Sequence, residues 1–221
     1  MLPPNTTTYS AEYVERRSRL TTFFRGLLVI PHLFVLAFYG LVAYFAVFFA
    51  WFAIVFTARY PKGLYDFVAG FHRYYARVMS YYYLLVDPYP PFSGNVDLAY
   101  PAVLDIGPPL EKYSRLLTFF RAFLLIPVWI IGYVLAIVGG FIVMLAWIVV
   151  VITGRMPQGM QRIIEYCYSY LFRAGVYGSL LTEAFPPFDG GPQTVQHVAA
   201  PGFAADPVAP STVDGIGDPP R

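Results

Sequence analysis

The phrase SRLTTFFRGLLVIP at residues 18–31 returns as SRLLTFFRAFLLIP at residues 114–127, an offset of 96 residues, and each copy opens a long stretch without charge. The offset holds far beyond the phrase. Ala50-Trp51 matches Ala146-Trp147, and Thr57, Arg59, Pro61 and Gly63 meet Thr153, Arg155, Pro157 and Gly159. Further on, LLVDPYPPFSG at 84–94 meets LLTEAFPPFDG at 180–190. No gap is needed anywhere, so the chain is an internal duplication.

Composition places both copies at a membrane. Of 221 residues 57% are hydrophobic and 13% charged, about half the charge of an ordinary soluble domain at ~25%. Mean hydropathy is +0.55. The 19 Tyr and 20 Phe suit a bilayer boundary. A net charge of +2 gives no electrostatic basis for nucleic-acid binding. Residues 26–58 and 122–154 contain no Asp, Glu, Lys or Arg, and each run well exceeds the ~18 residues that mark a membrane span. The first run follows a polar arm and is too long for a signal-peptide core. The lone Cys167 permits no intrachain disulfide.

Each repeat divides into three parts. Ser18 and Ser114 stand where a helix N-cap is expected. As one straight helix the uncharged run would be about 50 Å long, against a hydrocarbon core of ~30 Å. A transmembrane hairpin resolves that mismatch, turning near Gly40 in the first copy and at Gly139-Gly140 in the second. Basic residues flank both ends of each run: Arg16, Arg17, Arg19 and Arg25 before the first, Arg59 and Lys62 after it, with Lys112, Arg115, Arg121, Arg155 and Arg162 around the second. Hairpins put all of them on the cytoplasmic face. The third part, from Pro61 or Pro157 onward, carries apolar residues at spacings of three and four. It reads as an amphipathic helix lying in the membrane interface, its tyrosines at headgroup depth.

The expected fold is therefore an all-α integral membrane protein with four spans. It comprises a polar N-terminal arm (1–17), repeat 1 (18–92), a Pro-rich connector (93–113), repeat 2 (114–188) and a disordered C-terminal tail (189–221). The expected location is the cell (inner) membrane, multi-pass, with both termini cytoplasmic.

Three stretches carry a resemblance to a known family: RLTTFFR at 19–25 with IPH at 30–32, AWFAIVFTARYPKGLYDFVAG at 50–70, and RYYARVMSYYYLLVDPYPPF at 73–92. With their degenerate second copies they resemble the bacterial, largely actinobacterial, membrane domain of unknown function numbered 4389. The resemblance implies a membrane protein, often with tandem copies. It carries no established activity, so it transfers no functional residue. His32 fits the IPH pattern, whereas the second repeat has Val128.

No catalytic or metal-binding constellation is legible, and neither an enzymatic activity nor a cofactor is expected. His32 reads as a hydrogen-bonded interfacial residue or as part of a proton path. The repeated arginines are the best candidates for contacts: Arg19, Arg25, Arg59 and Arg77, with Arg115, Arg121, Arg155 and Arg173 at equivalent places. They either anchor topology or bind anionic lipid headgroups or an acidic partner surface, where a guanidinium fork suits phosphate. Two functions stay open. One is a non-enzymatic accessory or scaffold subunit with a protein partner in a larger membrane assembly, such as an envelope or lipid-transport complex. The other is a small transporter or lipid-binding protein with its site between the repeats.

Overall fold

Each uncharged run is one long helix. The structure, a computed structural model, describes residues 7–186; the expected C-terminal tail lies outside the described residues. The elements are β1 (Thr8–Ala11), α1 (Arg19–Leu28), α2 (Ile30–Thr57), α3 (Lys62–Tyr82), β2 (Ala102–Asp105), α4 (Arg115–Phe119), α5 (Arg121–Thr153) and α6 (Gln158–Gly178). A single residue separates α1 from α2 and α4 from α5, so each pair forms one rod from residue 19 to 57 and from 115 to 153. The rods are long and apolar enough to cross a membrane.

The hairpin expectation is thereby corrected. Gly40 and Gly139-Gly140 lie inside α2 and α5, and Gly40 and Gly139 serve close packing rather than turning. A Cβ at Gly40 would sit 3.3 Å from the Phe71 ring, and one at Gly139 would sit 3.0 Å from Cys167 Cβ and 3.1 Å from the Tyr168 ring. These glycines let α3 and α6 approach the rods. The turn comes only at the end of each run. There Ala58 (φ 58°) and Gly154 (φ 70°) take the left-handed conformation and donate back to Ile54 O and Val150 O, a common helix ending. Pro61 and Pro157 then start α3 and α6.

The two copies interlock head to tail. Trp51 Nε1 donates to Thr118 O at 3.1 Å, and its counterpart Trp147 Nε1 donates to Thr22 O at 3.0 Å. Likewise Arg17 N bonds Gly154 O, and Tyr113 N bonds Ala58 O. The start of each rod thus lies beside the end of the other, and a pseudo-two-fold axis runs between them. The Ser18 and Ser114 hydroxyls cap their helices as the sequence indicates.

The expectation of interfacial amphipathic helices is also corrected. α3 and α6 form an internal layer in which Val78, Tyr81, Ile164, Val176, Arg77 and Arg173 are all buried. On one side they pack against the rods. On the other lies a small antiparallel sheet, β1 with β2 in the register Tyr9 with Leu104. Tyr9 and Leu104 are buried with α3 and α6 in the main core, and the Tyr9 and Ser80 hydroxyls are 2.6 Å apart. From residue 7 the N-terminal arm carries β1 and the connector carries β2, so the fold of the described residues is not purely helical. Apolar alternation in these stretches is only four residues long, too short to declare a strand by sequence.

Candidate functional site

The eight candidate arginines separate into two kinds. Arg25 is 2% exposed; it donates to Tyr81 O and Val86 O at 2.7 and 3.0 Å, pairs with Asp87 at 2.6 Å, and lies over the Tyr81 ring. Arg121 repeats this with Tyr177 O, Thr182 O and the Tyr177 ring. Each serves one carbonyl in the last turn of α3 or α6 and one four residues beyond the helix end, and so ties the helix to the segment that follows it. Arg77 is buried against the connector, donating to Ser93 O at 2.9 Å and to Asn95 O. Arg173 is buried and bonds Ser169. These four bind the protein to itself, which corrects their reading as headgroup contacts. Arg19, Arg59, Arg115 and Arg155 remain at the surface.

His32 is fully buried, its Nδ1 2.6 Å from the Tyr74 hydroxyl and its ring stacked on Phe92 at 4.0 Å. It belongs to the packing of α2 on α3, as the hydrogen-bonded reading has it.

The main concave feature among the described residues lies between the repeats. The rods touch near their ends, through the reciprocal tryptophans, and part between them. α3 and α6 floor the gap. Three adjoining cavities of about 510, 490 and 410 Å³ line up along it, each within the ~300–1,000 Å³ range of small-molecule sites. The first lies against Phe23, Gly26, Val143 and Trp147, with Arg25 and Tyr83 at its edge. The last lies against Tyr44, Val47, Leu125 and Trp129. The middle cavity shares Tyr83 and Tyr168 with the first, and His72, Trp129 and Gly175 with the last.

Two pairs of side chains set the polarity of that floor, and the duplication relates them. Tyr83 stacks on Tyr168 with ring centroids 3.6 Å apart and planes at 14°. The offset of 96 converts Tyr83 into Ser179 and Tyr168 into His72, and His72 Nε2 lies 2.7 Å from Ser179 Oγ. One end of the groove thus has an aromatic stack where the other has a histidine–serine hydrogen bond. Burial lowers the His72 pKa to about 4, so the imidazole is neutral at pH 7. Burial also pushes the Tyr168 hydroxyl up to about 12 and raises Tyr83, so both phenols are neutral as well. Apart from Arg25 at the first cavity, whose charge is paired with Asp87, the site is a neutral, hydroxyl-tipped apolar trough.

Periodicity alone merges these residues into tyrosine-rich stripes. The signal that isolates them is the disagreement between copies, at His72 against Tyr168 and Tyr83 against Ser179. Identical positions such as Phe23 and Trp147 also line the groove, and the differing pairs are what make its two ends unlike.

A family model described as a domain of unknown function, DUF4389, matches residues 19–94 and again residues 115–189. The chain belongs to the DUF4389 family. No curated protein and no solved structure matches it. The two DUF4389 copies each comprise one rod and one floor helix, so the groove is a product of their pairing: each cavity takes residues from both.

Proposed function

We propose that this DUF4389 protein is a non-enzymatic membrane protein that holds the hydrocarbon chain of a lipid in the groove between its repeats. The observation that carries this reading is the trough itself, with rod walls that are apolar except at the Asp87-paired Arg25 and a neutral, hydroxyl-tipped floor. A chain of methylenes gains about 0.8 kcal/mol for each group removed from water, and the floor hydroxyls favour a weakly polar segment over a charged one. Its polar groups already serve each other, as His72 with Ser179, which favours holding over chemistry. The geometry thus favours lipid binding over the accessory-subunit role.

The location we propose is a bacterial cell membrane, with both chain termini on the cytoplasmic side. The apolar outer faces of both rods support membrane residence: Phe38 and Tyr133, near their middles, are 72% and 70% exposed.

Plugging the groove tests the reading. A Cβ on Gly140 would have only the Tyr168 hydroxyl nearby, at 4.0 Å, so a large side chain there enters open space in the first cavity. Gly140→Trp is expected to leave a folded protein with much less copurified lipid per chain. Unchanged lipid content in the folded variant would refute the groove as the site.

A further inference from the structure

The rods meet the length and apolarity a membrane span needs, but they exceed the thickness of the bilayer core and stay apolar to both ends. Leu20 is 69% exposed and Phe56 72%, and in the other rod Leu116 is 68% and Ile152 67%. The 36 residues between each pair span ~54 Å at 1.5 Å per residue, whereas the hydrocarbon core is ~30 Å thick. Fitting that length across the core needs a tilt of about 55°, outside the ~0–40° range seen for spanning helices.

What packs beside the rods argues the same way. Gly40, at the middle of the first rod, faces Phe71 of α3. Two and six residues further along α3 lie Arg73 and Arg77, which share a surface hollow with Asp97 and Asp105. A rod standing along the bilayer normal would place that charged layer at the depth of the lipid tails, where each charge costs about 2.5 kcal/mol or more. Laid flat, the rods put the layer in water.

We propose that the protein is monotopic, with its two rods lying side by side in the plane of one leaflet and the α3–α6 and sheet layers standing above it in water. This rests on the membrane reading above. The surface arginines fit the arrangement. Head-to-tail pairing puts Arg19 with Arg155 at one end, where Arg19 Nη2 bonds Thr153 O at 3.1 Å, and Arg59 with Arg115 at the other. Spanning rods would place the two clusters on opposite sides of the membrane, against the positive-inside tendency. In-plane rods bring both to one plane of headgroups, so the occupant of this face is an anionic leaflet. The groove between the rods then opens into the lipid tails.

The experiment is depth measurement on the full chain in vesicles of phosphatidylglycerol and phosphatidylcholine. Single cysteines replace Leu20, Phe38 and Phe56 in turn, in a Cys167→Ser background, and carry a fluorophore quenched by lipids labelled at graded depths. All three are expected at the same depth, while a label at Asp97 is quenched only from water. Phe38 near the bilayer centre with Leu20 and Phe56 at opposite interfaces would overturn the proposal. So would labels that no lipid quenches, the result if a second copy covers the face. Replacing Arg19, Arg59, Arg115 and Arg155 by Gln is expected to abolish a preference for phosphatidylglycerol vesicles, each residue contributing about fivefold at low salt. An unchanged preference would remove the anionic leaflet as the occupant.

Discussion

Replacing Arg25 is expected to destabilise the protein without emptying its groove. The guanidinium is buried and makes three short bonds, two to carbonyls at and just beyond the end of α3 and one to Asp87. Arg25→Ala strands those acceptors, and breaking a buried ion pair costs about 3–5 kcal/mol. Asp87 is 27% exposed, and water can reach its carboxylate, so the low end of that range applies. Arg25→Lys keeps the pairing with Asp87 but has no planar fork to serve two carbonyls and stack on Tyr81 at once. With hydrogen bonds to charged groups worth about 1.5–3 kcal/mol, it should fall roughly 1–3 kcal/mol short of wild type. For a chain of this size 1 kcal/mol moves Tm by about 2–4 °C. Thermal unfolding in detergent micelles should therefore show Arg25→Ala lower by roughly 6–12 °C and Arg25→Lys between it and wild type. The equivalent Arg121 makes longer bonds, at 3.3 and 3.1 Å, and Arg121→Lys should cost less than Arg25→Lys. An Arg25→Ala Tm within 2 °C of wild type, or a lipid loss with no stability loss, would refute the internal-clamp assignment.

Trp51→Phe and Trp147→Phe each remove one inter-repeat hydrogen bond and should cost about 0.5–1.5 kcal/mol; unfolding midpoints of the single and double variants check this. Burial holds the His72 pKa at about 4 in the folded protein, below the ordinary 6.5 of the unfolded chain. Its neutral, buried form therefore contributes stability that is fully present above pH 6.5 and is lost as pH falls toward 4. The loss is on the order of 3 kcal/mol, so wild type should lose its advantage over His72→Gln across that window, as denaturant titrations at pH 7 and pH 4.5 would register. Protease sites introduced at each terminus should be cut from the same side of sealed membranes.

Much of the frame can be read from the chain, because duplication writes it twice. The caps at Ser18 and Ser114, the rod ends at Ala58 and Gly154, and the starts of α3 and α6 at Pro61 and Pro157 are local signals that the structure obeys. Gly40 and Gly139 read as turns because a glycine that relieves a helix crossing and one that turns a chain look alike in sequence. Arg77 misleads for a related reason. A charge on a tyrosine-rich helix reads as a solvent face until the connector that covers it is known, and that cover is a long-range contact. The groove was legible only as a site between the repeats. Its polarity depends on positions such as His72 and Ser179, 107 residues apart, which no periodicity connects.

The account rests on a lipid chain lying in that groove, and photocrosslinking tests this most directly. A phospholipid with a diazirine near the middle of one acyl chain is incorporated into membranes containing the full-length protein, activated, and its adducts are mapped by peptide mass spectrometry. The account predicts adducts concentrated on Tyr83, Tyr168, Val143 and Trp147, and their loss in Gly140→Trp while labelling of the outward-facing Phe34 and Phe38 persists. Adducts confined to the outer faces of the rods, equal in wild type and variant, would contradict it.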